Sequence, residues 1–230
     1  MEQRLNTNYD KVREFILAND GIFTECEKEY LLNYASRGHI SGKIIPDIVR
    51  EVYDKLNILT DEENIYLGFM DLLNQEFNYR ERNIIEVGGG ILPRLATRIS
   101  DNQTTGRIKV YDPRLSKYET NKEKMTLVRQ KFYSNTPVND CNLLIGFMPC
   151  EATYNIIDNA ARNNIDFIIA LCEGGPHGDI YDFFENENDW LNTMIYMAER
   201  GVEDYNMGTL EKVYLKKYHN PYPVIYNKRK

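Results

Sequence analysis

Glu86, the three consecutive glycines Gly88, Gly89 and Gly90, and Asp112 are the residues of this chain whose types and spacing could do chemistry. A glycine run lets the backbone approach a ligand closely. A helix starting just past it adds free N–H groups and a partial positive charge, which favour an anionic or carboxylate-bearing group. Pro93 suits the first turn of such a helix, where a missing N–H costs nothing. Asp112 follows about 20 residues later, where a carboxylate can accept hydrogen bonds from both hydroxyls of a ribose. Taken singly, the glycines also suit a ligand-free turn, and an Asp before Pro113 suits a chain reversal. Together they imply a ribose-bearing ligand, either a dinucleotide or S-adenosylmethionine.

These residues need a sheet to hold them, and the pattern from residue 83 onward supplies one. Ile84–Val87 reads as a short buried strand ahead of the glycines, with a helix after them through about Ser100. A second strand is expected over 107–111, ending at Asp112. A polar helix is expected over 117–129 and a short strand over 131–133, closing at Ser134 and Asn135. A fourth strand over 142–147 precedes a helix over 151–163. A fifth over 166–171 runs into a glycine-rich stretch holding His177, and a last helix covers 188–200. Two β-like runs, 210–218 and 224–227, flank Asn220-Pro221-Tyr222-Pro223 and read as a hairpin. Continuous apolar runs alternating with helices predict an α/β, Rossmann-like, doubly wound and mostly parallel sheet, closed by a C-terminal antiparallel hairpin.

Ahead of this lies a stretch with helical periodicity throughout. Val12, Phe15, Ile16 and Ala18 mark one apolar face, Tyr30, Leu31, Tyr34 and Ala35 a second, and Ile45, Ile48, Val49, Val52, Tyr53 and Leu56 a third. Thr60 to Glu63 reads as a capping box opening a fourth helix that carries Ile65, Phe69, Leu72, Leu73 and Phe77. The division expected is therefore a helical cap or oligomerisation segment over 1–80, offering a surface for homodimer pairing, and a ligand-binding domain over 81–230.

Bulk composition sets the outer limits. The 230 residues are 42% hydrophobic and 27% charged, ordinary for a globular protein with a real core. No run approaches the roughly 18–20 apolar residues of a membrane span, and the first residues lack an apolar leader core. Four widely spaced cysteines without a Cys-x-x-Cys pair read as reduced thiols and lack zinc-ligand spacing. A cytoplasmic protein that neither crosses a membrane nor holds a metal is expected. A net charge of −7 argues against a surface that tracks nucleic acid, so DNA is not expected as a partner.

From Glu86-x-Gly88-x-Gly90, Asp112 and the final hairpin, the chain resembles the class I S-adenosylmethionine-dependent methyltransferases over residues 83–230. The resemblance implies that Glu86, Gly88, Gly89 and Gly90 hold the methionine part of S-adenosylmethionine and that Asp112 binds its ribose. It places Ser134 and Asn135 near the adenine and Met148, in the loop after the fourth strand, near the methyl group. Leu92 stands where the family often has a third glycine, and Pro93 stands where a pyrophosphate-binding turn needs Gly or Ala, which favours this cofactor over a dinucleotide. Gly146-Phe147-Met148-Pro149-Cys150-Glu151, with Cys172 after the fifth strand, is similar to a subgroup carrying Gly-x-His-x-Cys-Gly and Pro-Cys-Cys elements. Several members of that subgroup act on RNA. Met148 replaces the histidine and Glu151 the second glycine.

Two residues are candidates for proton transfer. Glu151 could act as a base or serve as a carboxylate at a helix start, and His177 is the histidine on the ligand side of the sheet. The activity expected is methyl transfer to a small-molecule or RNA acceptor. An aminocarboxypropyl transferase of the nicotianamine type is the alternative, from the partial match of Gly90-Ile91-Leu92-Pro93 to that family's turn. A non-catalytic cofactor-binding partner protein and a nicotinamide oxidoreductase follow.

Overall fold

The computed structural model describes residues 6–37, 47–58, 61–117, 119–172, 187–215 and 222–229. The chain divides into two compact units, with the boundary inside one helix, between Leu67 and Gly68. A boundary after residue 80 was expected from the sequence. The last part of that helix packs with the sheet instead, because Phe69 and Phe77 stack edge-on against Phe147 and Tyr226 at 5.4 and 5.8 Å.

The first unit holds helices α1 (Asn6–Ala18), α2 (Glu25–Arg37) and α3 (Asp47–Lys55), and the start of α4 (Asp61–Phe77). Val12, Ile16, Leu31, Tyr34, Val49, Val52 and Tyr53 form its core, whereas Ala18 and Tyr30, which the sequence places on the same faces, are exposed. Tyr34 and Tyr53 meet edge-on at 5.6 Å. Thr24 caps α2: its Oγ accepts from the Glu27 N–H, and the Glu27 carboxylate accepts from the Thr24 N–H, a reciprocal capping box. The capping box expected at Thr60 lies outside the described residues.

The second unit is a seven-stranded sheet in the order β3-β2-β1-β4-β5-β7-β6. The strands are β1 (Ile84–Val87), β2 (Ile108–Tyr111), β3 (Met125–Val128), β4 (Leu143–Phe147), β5 (Asp166–Ala170), β6 (Thr209–Leu215) and β7 (Tyr222–Lys228). The first five run parallel, and β7 and β6 are antiparallel, so the Rossmann-like architecture with a terminal hairpin is what the sequence predicted. Burial follows position: β1, β4 and β5 are buried at every residue, while the outer strand β6 alternates and exposes Glu211 and Lys212. Charges on an edge strand discourage pairing with another chain.

Three helices position the sheet's ligand edge: α5 (Arg94–Asn102), α6 (Ala152–Asn163) and α7 (Glu187–Asp204). Ile156, Ile157 and Ala160 of α6 and Trp190, Met194 and Ala198 of α7 share one core with Ile85, Leu144, Phe167 and Ile169 of the strands. At the opposite, amino-terminal edge, Asp166 is buried and doubly paired. Its carboxylate takes Arg82 Nη1 at 2.7 Å on one oxygen and Arg229 Nε at 2.8 Å on the other. Arg82 also donates to the carbonyls of Phe77 and Asn142, so one guanidinium ties α4, β4 and β5 together.

One segment departs from expectation. None of the described residues over 117–129 is helical, and 131–133 is not a strand. The third strand is Met125–Val128, paired parallel to β2 from Ile108↔Met125 to Tyr111↔Val128. Its burial alternates, with Met125 and Leu127 inward and Thr126 outward. The charged run before it suits a helix by composition. The period of two in Met-Thr-Leu-Val, with two β-branched residues and an open sheet edge to pair with, outweighs that preference.

Candidate functional site

The strand order reverses at β1, which lies between β2 and β4, and ligands in such sheets bind outside the strands' carboxyl ends there. Three segments converge at that point: the glycine turn after β1, Asp112 after β2 and residues 148–151 after β4.

The glycine turn is fixed by its neighbours. Gly88 donates its N–H to Tyr111 O at 2.9 Å and has φ +82°, and a Cβ there would stand 3.0 Å from the Pro149 backbone. Gly90 has φ +75° with open space where a side chain would be, and donates its N–H to Asp112 at 2.9 Å. Pro93 immediately precedes α5, so the helix starts just past the turn. Glycine run and acid, 22 residues apart in the chain, are thus directly bonded to each other.

Asp112 is 2% exposed, and its carboxylate accepts four hydrogen bonds. Oδ2 takes Gly90 N–H and Arg114 Nη2, and Oδ1 takes Arg114 N–H and Nε. Burial pushes its pKa up. The Arg114 guanidinium and the two backbone donors outweigh that and hold the carboxylate below its ordinary value. A carboxylate has about four lone-pair sites, so a ribose diol reaching Asp112 takes the places of Nε and Nη2. The Arg114 side chain, 69% exposed, can give them up to water.

Glu86 behaves in the opposite way. It is 1% exposed in the middle of the fully buried β1, beneath the glycine turn, and its Oε2 has no hydrogen-bond partner. Burial raises its pKa to about 8, opposed by the Ala96 N–H and reinforced by the nearby Asp112 charge. Two neighbouring carboxyl groups therefore divide their roles, Asp112 charged and Glu86 carrying its proton at neutral pH.

The cleft beside them has a volume of about 630 Å³, within the range of small-molecule sites. Gly88, Asp112 and Glu151 line it, joined by residues the sequence did not single out: Tyr111, Arg114, Lys131, Phe132, Tyr133 and Asn155. Glu86, Gly89, Gly90 and Met148 do not line it. Ser134 and Asn135 line a neighbouring hollow of about 530 Å³ that shares Tyr133 and Asn155 with the cleft. They lie six and seven residues past β3, and Ser134 spends both its N–H and its hydroxyl on Asn155 Oδ1, at 3.2 and 3.0 Å.

In the loop after β4, Met148 and Cys150 both adopt positive φ, 52° and 47°, a costly conformation for non-glycine residues that concentrates at functional sites. Cys150 Sγ lies 3.6 Å from Cys172 Sγ, and both thiols are reduced. That contact and then burial push the Cys150 thiol far up, so it is not a ready nucleophile. Glu151 is the residue immediately before α6, exposed, and makes no side-chain cap to it. It is one of the residues lining the cleft. His177 lies outside the described residues.

No protein-family model matches the chain, and no curated protein matches its sequence. Solved structures do. One from Methanococcus maripaludis, assigned provisionally as an S-adenosyl-L-methionine-dependent methyltransferase, is 14% identical, with a TM-score of 0.50 over 84% of this chain and 98% of its own. Magnesium protoporphyrin IX methyltransferase from Synechocystis PCC 6803 with bound S-adenosylhomocysteine is 9% identical, with a TM-score of 0.48 over 95% and 98%. At such identities the likeness is one of fold. This chain has the Rossmann-like fold on which the Methanococcus protein is built.

Proposed function

We propose that this chain is an S-adenosylmethionine-dependent methyltransferase acting on a small-molecule or RNA acceptor. The observation that carries the reading is the bond from Gly90 N–H to Asp112, which welds a glycine turn to a charged acid at the edge of a cleft of fitting size. The fold shared with the Methanococcus protein supports it, as does the match of Cys150 and Cys172 to the cysteines of the resembling subgroup. S-Adenosylmethionine, when bound, supplies a methyl group on a sulfonium. The chain's residues fit it: Asp112 accepts from the ribose hydroxyls, the open space at Gly90 admits the methionine portion, and Phe132 and Tyr133 wall the cleft. Glu151 lines the same cleft beside Pro149 and holds a carboxylate able to take a proton from an acceptor.

Calorimetry with S-adenosylmethionine, S-adenosylhomocysteine and NAD tests the reading. Binding of the first two but not NAD is expected, and no binding of either would overturn it. Product mass spectrometry should then show S-adenosylhomocysteine; methylthioadenosine instead would mean aminocarboxypropyl transfer. Asp112→Ala should weaken S-adenosylhomocysteine by about 1.5–3 kcal/mol, the worth of hydrogen bonds to a charged group. Gly90→Ala separates binding from folding. The left-handed backbone costs about 1–2 kcal/mol of stability. The added methyl group, placed in the open cradle, should cost a further 1–3 kcal/mol of cofactor affinity by overpacking. A denaturation curve and a titration on the same sample read the two effects apart.

A further inference from the structure

Helix α6 carries three asparagines four residues apart, Asn155, Asn159 and Asn163, which fall along one face. Polar residues at this spacing ordinarily face water, yet Asn159 is fully buried. Its Nδ2 donates to Tyr133 O at 3.2 Å and Thr136 O at 2.9 Å, while Asn163 Nδ2 donates back to Asn159 O and Oδ1 at 2.9 and 3.0 Å. The turn at 133–136 closes on itself through Thr136 N–H to Tyr133 O. The face of α6 thus clamps the turn that carries the aromatic wall of the cleft.

Asn155 is the member of the row that lines the cleft. Its amide orientation is dictated, because Ser134 N–H can only donate and so requires the oxygen, Oδ1, on its side. The Ser134 hydroxyl donates to the same atom. That leaves the Nδ2 hydrogens as the uncommitted end of a rigidly held amide on the cleft wall beside Phe132 and Tyr133. Ser134, the residue expected to meet the base, has its donors consumed in holding Asn155.

We propose that Asn155 is the residue that reads the purine, donating from Nδ2 to a ring-nitrogen acceptor of the adenine, with Ser134 and Asn159 as positioning residues behind it. This rests on the cofactor reading above. The class of ligand follows from the chemistry: a flat base beside aromatic side chains, offering a nitrogen acceptor to an amide donor.

The test uses the full chain, S-adenosylhomocysteine, and its 1-deaza, 3-deaza and 7-deaza analogues, each lacking one acceptor nitrogen, titrated by calorimetry. Wild-type protein should bind one of the three analogues roughly tenfold more weakly than the parent, the worth of one hydrogen bond. Asn155→Asp keeps the oxygen that holds Ser134 but has no donor. It should bind the parent roughly tenfold more weakly and no longer distinguish that analogue. A purely structural role would lower all four affinities alike and leave the discrimination intact, which overturns the proposal. Equal binding of all four ligands by wild type overturns it without any variant. Failure of wild type to bind S-adenosylhomocysteine at all would instead remove the cofactor reading, and this inference with it.

Discussion

Asp166→Ala should unfold roughly 10 °C below the wild-type protein and lose about 3–5 kcal/mol of stability in urea. The size follows from what remains. Asp166 is 4% exposed at its side chain and balances two guanidinium groups at the amino-terminal edge of the sheet. Removing the carboxylate leaves Arg82 and Arg229 facing each other without the charge that brought them together. The two arginines are not equal. Arg229 adds its own backbone N–H to Asp166, but its side chain is 39% exposed and can hydrate. Arg82 is 25% exposed and also satisfies the Phe77 and Asn142 carbonyls and lies over the Phe77 ring. Arg82→Ala should therefore destabilise clearly more than Arg229→Ala. A stability of Asp166→Ala within 1 kcal/mol of wild type would show that the network is ornamental. The site lies at the other edge, so cofactor affinity measured well below the melting temperature should hardly change.

Glu86→Gln should be more stable than wild type at pH 8, by a few kcal/mol, with the advantage shrinking as the pH falls toward 5. Glu86 has a folded pKa of about 8 against an ordinary 4.5, so the folded state binds a proton that the unfolded chain releases. Stability must then fall as pH rises through that window, by up to about 1.4 kcal/mol per pH unit, and level off above pH 8. Glutamine has the same shape and no proton to lose, so its curve lacks this slope. Asp112 contributes with the opposite sign. Its pKa is lowered, so its stabilisation is present above the ordinary carboxylate range and is lost as pH falls through the folded value. Melting temperatures of both proteins from pH 5 to 9 isolate the Glu86 contribution, because that of Asp112 is constant over this range. Parallel curves across that range would mean that Glu86 is charged in the folded state. A buried acid at the middle of β1 thus trades stability for a carboxyl group beneath the glycine turn, the kind of local cost that functional sites carry.

Residues that act through their neighbours in the chain were legible in the sequence. Ile84–Val87 is bounded by Asn83 and Gly88, is apolar apart from Glu86, and is a strand over that span. The apolar runs of β4 and β5 likewise declared a covered parallel sheet, and the proline-rich reversal declared the hairpin. Gly88 and Gly90 adopt the positive φ that glycine permits, and Asp112 stands just past β2, where its spacing from the glycines puts it. The stretch from 117 to 133 was misread because its charges favour a helix locally, whereas the strand Met125–Val128 exists only by pairing with β2.

What the sequence determined by itself is therefore the order of elements, the Rossmann-like layering and the glycine-and-acid signature, since each follows from local periodicity and turn chemistry. Only the tertiary structure decided which polar side chains have work to do. Arg114 reads as an ordinary surface charge until it is seen filling the lone pairs of Asp112, and Asn159 as a solvated helix residue until it is seen buried against the 133–136 turn. Asp166 meets Arg82 and Arg229 across 84 and 63 residues. Hydrogen bonds between distant residues leave no period in the chain, because their partners are chosen by the packing of the sheet.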